Sequence, residues 1–501
     1  MITEEEFKEL AQTYSVVPLV ETMLADLHTP VSIYLTLRSK ILHSFLLESV
    51  EPDERIGRFS FVGTDPLLVI KAKGDVVEIE SDGKKEQRRG KILDVLDELS
   101  HRYRSVATQE QQGFTGGFLG YFGYDRVQEI ENIPLHSPAE DDVPDAMFGL
   151  FQSVVKFDHL QQLLTVTHNI LVENNRPLND QYNGGVKILT GILAQLGKPP
   201  VLENSFQCDL ASIQHGADRE TFCSSVKRAK EYIHEGDIFQ VVLSRRVQVR
   251  FSGDPFPVYR ALRIINPSPY LFYLDYGSVK LIGSSPEVLV RVQNRVVAVM
   301  PIAGTRKRGK TEQEDKLLEE ELLRDEKEAA EHVMLVDLGR NDIGRVSEYG
   351  SVHVTVFKSI KRFSHVMHLV SEVQGKLKAD ANSIDALRAC FPAGTVSGAP
   401  KVRAMEIINE LEPVRRGIYA GAVGYLGFDG ALDTCIAIRT IVAANDMLTI
   451  QAGAGIVADS VPDLEYKETV NKAQALLDAL AVASNGLMKI HSGNGYSGGR
   501  Q

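Results

Sequence analysis

The sequence predicts an α+β fold built on antiparallel sheets. Strand-like and helix-like runs come in blocks and do not alternate one for one, which disfavours a doubly wound parallel sheet. Short β-rich runs separated by turn signals fill the first third, as hairpins require. At 501 residues the chain exceeds one small core, and about 150 residues per domain suggests about three units.

The runs PVSIYLTL (30–37), RFSFVG (58–63) and VVEIESDGK (76–84) read as strands, the last closed by an Asp82-Gly83 turn. In GFTGGFLGYFGYD, 113–125, glycines alternate with large apolar residues, which in a strand means close backbone approach. Residues 173–217 read as the seam between two parts, with a polar ENNRPLNDQYNGG passage and a helix-like stretch inside it. Asp218 then caps a helix whose apolar face repeats at Phe222, Val226, Ala229 and Ile233 and which Gly236 stops. A strand follows over 237–251. Later strands are VKLIGSS, VVAVMPIAG, GAVGYLGF, TCIAIRTIVAA and MLTIQAGAG; helices fall at 312–336, 401–411 and 462–484. The Gly/Ser-rich tail, 487–501, reads as disordered.

A 43 % hydrophobic and 24 % charged composition is that of a soluble globular protein. The formal charge of −12 argues against a broad nucleic-acid footprint, though not against a local basic pocket for a small anion. Cys208, Cys223, Cys390 and Cys435 form no CxxC pair, so a reduced cytoplasmic setting is expected. No secretory leader opens the chain and no apolar run reaches bilayer-spanning length, so no membrane partner is expected. Tryptophan is absent altogether.

Two acidic pairs stand at helical spacing, Glu328 with Glu331 and Glu465 with Glu468. On a helix each pair projects from one face. Such pairs are ordinarily solvated surface, and Glu468 with Lys472 is an ordinary i,i+4 pair; two such helices face to face could instead cage a hard cation such as Mg²⁺. FPAGTVSGAPKVRAMEII, 391–408, runs a small-residue loop into a helix, either a tight turn or amides offered to an anion. GAGIVAD, 453–459, nearly matches a dinucleotide fingerprint, but too little chain follows for a βαβ unit, and it reads as a loop exposing amides to a carboxylate. Tyr419, Arg439 and His368 lie in apolar settings. There a cation must be paired or bind an anion, and a histidine is either a satisfied core residue or a proton carrier.

These pieces occur in an order that resembles the chorismate-utilising enzymes. The matching stretches are DIFQVVLSRR, SSPE (284–287), PIAGTRKRG, KEAAEHVMLVDLGRND, FPAGTVSGAPK, YAGAVGYLGFDGALDTCIAIRT and GAGIVADSVPDLEYKETVNKA. The resemblance spans 218–475, a chorismate-binding catalytic domain. Residues 15–170, with LLES at 46–49, resemble the N-terminal domain of the anthranilate synthase large subunit, a tryptophan-binding regulatory part.

The resemblance implies antiparallel sheets packed face to face with helices outside. It implies that Glu331 and Glu468 bind Mg²⁺, with Glu328 and Glu465 beside it or acting through water. Gly453, Ala454, Gly455 and Lys472 would meet the ring carboxylate of chorismate, Tyr419 and Arg439 the enolpyruvyl carboxylate, and Gly304, Thr305 and Thr395 would line the pocket. Glu328 would be the general acid for the departing C4 hydroxyl and His368 would handle protons around C2. Aminodeoxychorismate synthases, the nearest alternative, carry a lysine nucleophile where this chain has Ala303. Isochorismate and salicylate synthases carry a lysine base where it has Gln240, and an amide cannot deprotonate water, so ammonia is the expected nucleophile. No cysteine has the setting of a class I glutaminase and none of the 13 histidines is followed two residues later by Glu, so a separate glutaminase subunit is the expected ammonia source. Ser49, Pro269, Tyr270 and Leu271 resemble a tryptophan pocket, which implies feedback inhibition. An oxidoreductase built on GAGIVA and a non-catalytic metabolite sensor are the readings from other classes.

Overall fold

The computed structural model describes residues 1–38, 43–49, 57–103, 105, 113–134, 142–201, 205–362 and 366–487; the predicted tail beyond Leu487 lies outside them. Two large sheets dominate, one of 13 and one of 12 strands. Along the first sheet the early strands Val16–Leu24, Leu163–Leu171, Ser153–Asp158, Phe59–Thr64 and Ser44–Glu48 are followed by the later strands Tyr270–Asp275, Val279–Ser285, Thr440–Ala444, Met447–Ile456 and Gln240–Ser252. The second joins early Gly117–Phe122 to late Ala422–Gly427. Both seams are antiparallel, with Leu271 opposite Glu48 and Gly424 opposite Gly120. Strands from the two sides of the 173–217 passage are thus hydrogen-bonded into common sheets.

The sheets face each other across a shared core. Phe45, Phe61, Phe272 and Leu281 come from the first sheet, and Val69, Leu119, Tyr121, Met147 and Val423 from the second. Helices cover both outer faces. Pro30–Leu37, Leu178–Leu196, Phe256–Ile265 and Pro462–Ser484 pack on the first sheet; Ile92–Arg102, Glu326–Gly344 and Ser383–Cys390 pack on the second. Period-2 alternation explains the fully buried strand Gly117–Phe122. Leu119 and Tyr121 enter the inter-sheet core, while Phe118 and Phe122 enter the outer one. No helix among the described residues is long and apolar enough to cross a membrane.

Several sequence expectations are corrected. PVSIYLTL is the helix Pro30–Leu37, not a strand: Thr29 caps it by accepting from Ser32 N–H at 3.1 Å, and buried Ile33 and Tyr34 pack inward. Cap chemistry and packing there outweigh the β-branched composition. The polar NDQYNGG passage lies within helix Leu178–Leu196. The single helix expected at 312–336 is two, Glu312–Arg324 and Glu326–Gly344, because Asp325 leaves the helical conformation and caps the second by accepting from the Lys327 and Glu328 amides. GAGI is no loop but the end of strand Met447–Ile456. TCIAIRTIVAA is two strands, Leu432–Ile436 and Thr440–Ala444, broken at Arg439, whose φ is +50°.

The glycine-rich seam has no room for side chains. A Cβ on Gly120 would lie 1.9 Å from the Met147 carbonyl oxygen and 2.7 Å from Phe148 Cα, both backbone. Gly120→Ala is therefore expected to destabilise the protein by about 3 kcal/mol or more, and an unchanged thermal midpoint would show that the seam can open.

Candidate active site

The site forms where the chain changes sheets. Strand Val279–Ser285 belongs to the first sheet and Val288–Gln293 to the second, so Pro286 and Glu287 cross between them. Leu432–Ile436 belongs to the second and Thr440–Ala444 to the first, so 437–439 cross back. The crossings are tied together: Ile436 N–H donates to Glu287 O and Ser284 N–H to Arg439 O, each at 3.0 Å. Beside them lies a cavity of about 800 Å³.

Helix Glu326–Gly344 brings Glu328 and Glu331 to this cavity, and helix Pro462–Ser484 brings Glu465, Glu468 and Lys472. Burial raises the Glu331 carboxyl, and the charges of Glu328 and Glu468 raise it further; burial and then Glu468 raise Glu465. Gln240 Nε2 donates to Glu331 Oε1 at 3.4 Å, and the Arg306 guanidinium reaches Glu328 Oε1 at 3.5 Å. Lys472 Nζ lies 2.6 Å from Glu468 Oε1 and donates to Gly453 O at 2.9 Å. Among the described residues no three Asp, Glu, His or Cys side chains converge closely enough to form a ready metal cage. Burial and neighbouring carboxylate charge nonetheless raise the proton affinity of Glu331 and Glu465 in one cavity, an electrostatic cost that a divalent cation relieves.

The GAGI strand end supplies donors of another kind. Strand Thr440–Ala444 pairs with it only as far as Ile441 opposite Ile450, leaving 451–456 without a paired strand on that side among the described residues. Val242 N–H and Ser244 N–H point away from it, to Ser397 O at 2.9 Å and Glu412 Oε1 at 2.8 Å. Their cross-strand partners Gly455 and Gly453 therefore turn their amides to the open side. Both glycines line the cavity. Ala454, one residue out of phase, does not: its side chain is fully buried with Leu243 and Ile407. A Cβ on Gly453 would lie 2.6 Å from the Tyr419 hydroxyl, and one on Gly455 2.7 Å from Gln240 Nε2. Glycine there is the space those two side chains occupy.

Tyr419, Arg439, Gly304, Thr305, His368 and Thr395 also line the cavity. Burial pushes Tyr419 up to about 12 and lowers Arg439 from the usual guanidinium range, and the Arg416 guanidinium lies 5.5 Å from the centre of the Tyr419 ring. Gly304 has φ +66°, and a Cβ there would lie 3.2 Å from Glu328 Oε2. Its carbonyl oxygen is 2.9 Å from His368 Nδ1, and Thr305 Oγ1 is 3.1 Å from the same nitrogen. A carbonyl only accepts, so Nδ1 carries the hydrogen and Nε2 the lone pair. Burial lowers His368 and keeps that neutral form. Of the two readings of FPAGTVSGAP, a tight turn or amides offered to an anion, the helix start favours the turn. Helix Lys401–Leu411 starts past the strand Gly398–Ala399, Lys401 is paired with Asp342 at 2.9 Å, and only Thr395 and Val396 of that segment reach the cavity.

Glu287, within the matched SSPE stretch, had no role assigned from the sequence. It lines both the cavity and a smaller chamber behind it, and burial raises its carboxyl to about 7. Only the position of Glu287 on a crossing between sheets, which one strand's sequence cannot reveal, brings it there. Ser49, Pro269, Tyr270 and Leu271 line a separate 320 Å³ pocket at the seam, walled by Phe59, Phe61 and Tyr425. The buried Ser49 hydroxyl has no hydrogen-bond partner among the described residues.

Residues 43–478 match the model of the chorismate binding enzyme family. Anthranilate synthase component 1 of Acetivibrio thermocellus is 46 % identical over 96 % of this chain and 98 % of its own. The crystal structure of anthranilate synthase component I from Streptococcus pneumoniae superposes with a TM-score of 0.75 at 39 % identity, over 91 % of this chain and 99 % of that one. The menaquinone-specific isochorismate synthase of Escherichia coli, 20 % identical, shares the fold with a TM-score of 0.70 over 95 % of this chain and 98 % of its own. The chain belongs to the chorismate-binding enzymes, among the anthranilate synthase component 1 proteins.

Proposed function

We propose that this chain converts chorismate and ammonia to anthranilate and pyruvate, the committed step of tryptophan synthesis in the cytoplasm. The observation that carries this is one cavity uniting carboxylates from two helices, the open Gly453 and Gly455 amides, and the Tyr419–Arg439 pair, with Gln240 and Ala303 in its wall. Glu331 and Glu468, with Glu328 and Glu465 beside them, would hold Mg²⁺, which supplies positive charge for the ring carboxylate. The glycine amides and Lys472 meet that same carboxylate, and Tyr419 and Arg439 take the enolpyruvyl carboxylate. Two fixed anchors orient the ring before reaction.

Ammonia then adds at C2 while the C4 hydroxyl leaves as water, giving 2-amino-2-deoxyisochorismate. The leaving oxygen needs a proton. Glu328 is the donor implied by family resemblance; Glu287, whose carboxyl sits near 7, is the donor its surroundings favour. Loss of the C2 proton and transfer of a proton to the enolpyruvyl group then release pyruvate and the aromatic amine. Neutral His368, oriented by Gly304 O, is placed to accept the C2 proton. Neither Ala303 nor Gln240 supplies a lysine, which disfavours the aminodeoxychorismate and isochorismate chemistries. The ammonia comes from a separate glutamine amidotransferase subunit. The 320 Å³ pocket, aromatic in its walls and lined by the buried Ser49 hydroxyl, which has no hydrogen-bond partner among the described residues, fits tryptophan as feedback inhibitor.

Purified chain given chorismate, Mg²⁺ and ammonium at alkaline pH is expected to produce anthranilate fluorescence. EDTA should abolish it, and glutamine alone should not replace ammonium; an untouched chorismate pool would refute the activity. Removing the acid is expected to cost about 10²- to 10⁴-fold in kcat. The working form of Glu287 is protonated, so at constant free ammonia kcat should fall as pH rises through about 7. E287Q should lose that limb together with the rate; if E328Q loses it and E287Q does not, Glu328 is the acid. His368→Ala with undiminished anthranilate formation would remove the histidine from the mechanism.

A further inference from the structure

The 320 Å³ pocket and the substrate cavity are joined by an unbroken set of buried hydrogen bonds. Pro269, in the pocket wall, follows Ser268 in the loop between helix Phe256–Ile265 and strand Tyr270–Asp275. Ser268 Oγ–H donates to Ser285 O at 2.6 Å. Ser285 Oγ–H donates to Ile436 O at 2.7 Å, and Ile436 N–H donates to Glu287 O at 3.0 Å. Beside this line, Asn266 Nδ2 donates to Ser284 Oγ at 3.2 Å, the Ser284 hydroxyl bonds back to Asn266 O, and Ser284 N–H donates to Arg439 O at 3.0 Å. The loop at the pocket thus reaches the backbones of both crossings, at Glu287 and at Arg439.

Ser284 and Ser285 are fully buried and Ser268 is 4 % exposed, so water does not substitute for a bond lost here. Each serine has one hydroxyl hydrogen. Ser285 gives its own to Ile436, and its next acceptor, Glu287 O, lies at 3.5 Å, too far for a strong bond. The cluster therefore has one well-satisfied arrangement, and a shift of the 266–269 loop displaces both crossings with it. The strands beyond the crossings lead the same way: Arg291 and Val292 of one, Leu432, Asp433 and Cys435 of the other, line the pocket.

We propose that Ser268, Ser284 and Ser285 are positioning residues that couple the pocket to the substrate cavity, so that an aromatic amino acid bound at one end displaces Glu287 and Arg439 at the other. This rests on reading the pocket as the tryptophan site. A ligand shifts an arrangement only through unequal affinity for its states, and the coupling is reciprocal: if tryptophan weakens chorismate, chorismate weakens tryptophan by the same factor. Reciprocity gives a test that needs no turnover.

Tryptophan binding is measured by equilibrium dialysis on the full chain, with and without chorismate, in Mg²⁺ and without ammonium. In the unmodified chain chorismate should weaken tryptophan at least about fivefold, whereas in S268A the factor should fall below about twofold while tryptophan alone binds within about threefold. S268A should keep its kcat and chorismate KM in the absence of tryptophan. S285A, which also loosens the crossings, should raise the KM for chorismate. If both variants keep the unmodified coupling factor, the serines do not carry the coupling. If the unmodified chain binds tryptophan but ignores chorismate, the pocket assignment stands and the coupling falls. If it binds no tryptophan, the pocket assignment fails and the proposal fails with it.

Discussion

Two antiparallel strands that change sheets at the same place impose the constraint on which the site depends. Where Ser285 hands on to Val288 and Ile436 to Thr440, neither sheet continues its ladder across the gap, and the backbone groups exposed there must find other partners. They find each other, through Ile436 N–H to Glu287 O and Ser284 N–H to Arg439 O. The crossing at Arg439 further requires a left-handed backbone at φ +50°, a conformation disfavoured for a side-chain-bearing residue. Such strain persists only where the surroundings over-determine it; here a paired strand on each side and a second crossing bonded to the first do so. What results is a gap between two sheets whose crossings are bonded to each other, and the cavity lies beside it.

The electrostatics of that gap run against those of the whole protein. The chain carries a formal charge of −12, yet it places Arg439, Lys472 and the Gly453 and Gly455 amides around one cavity. Lys472 stands on one of the two acidic helices, and both helices line the same cavity. Neither set is comfortable alone: burial lowers the Arg439 guanidinium, and burial first, then the charge of neighbouring carboxylates, raises Glu331 and Glu465. A dianion together with a divalent cation satisfies both sets at once, since the cation joins ligand carboxylate to protein carboxylates. The proximity of Glu468 to Lys472, at 2.6 Å, is the internal pairing that keeps the two sets compatible while they wait.

Legibility in the sequence followed the range of the forces involved. The helix capped by Asp218 was readable because its cap, its apolar stripe and its terminal Gly236 all lie within one segment. That Glu328 shares a face with Glu331, and Glu465 with Glu468, was readable from i,i+3 spacing, but spacing alone reads such pairs as solvated surface, and only the family resemblance pointed to a shared site. PVSIYLTL misled because its composition favours a strand while its helix is set by the Thr29 cap and by packing against distant strands. The GAGI segment looked like a loop because glycines signal turns. Their actual cause is the Tyr419 hydroxyl beside Gly453 and the Gln240 amide beside Gly455, from residues 34 and 215 positions away in sequence. Glu287 escaped altogether, because nothing within SSPE says that the chain is changing sheets there.

The same glycines bear on how one fold can serve several chemistries. Gly455 leaves the room that Gln240 Nε2 fills, 2.7 Å from where a Cβ would stand, and that amide donates to Glu331. Its other end, Oε1, is buried without a hydrogen-bond partner among the described residues. A lysine in this position would place a cation beside the acidic helices and offer a base to water. The glutamine leaves the carboxylates for a metal and presents an acceptor instead, to which a nucleophile with N–H groups can donate. Ala303 likewise removes a nucleophile without altering the strand Ile302–Lys307 that carries it. On this reading the site favours ammonia because neither position 240 nor position 303 carries the lysine that would activate water or attack in its place, and the scaffold of crossings and glycine edge need not change.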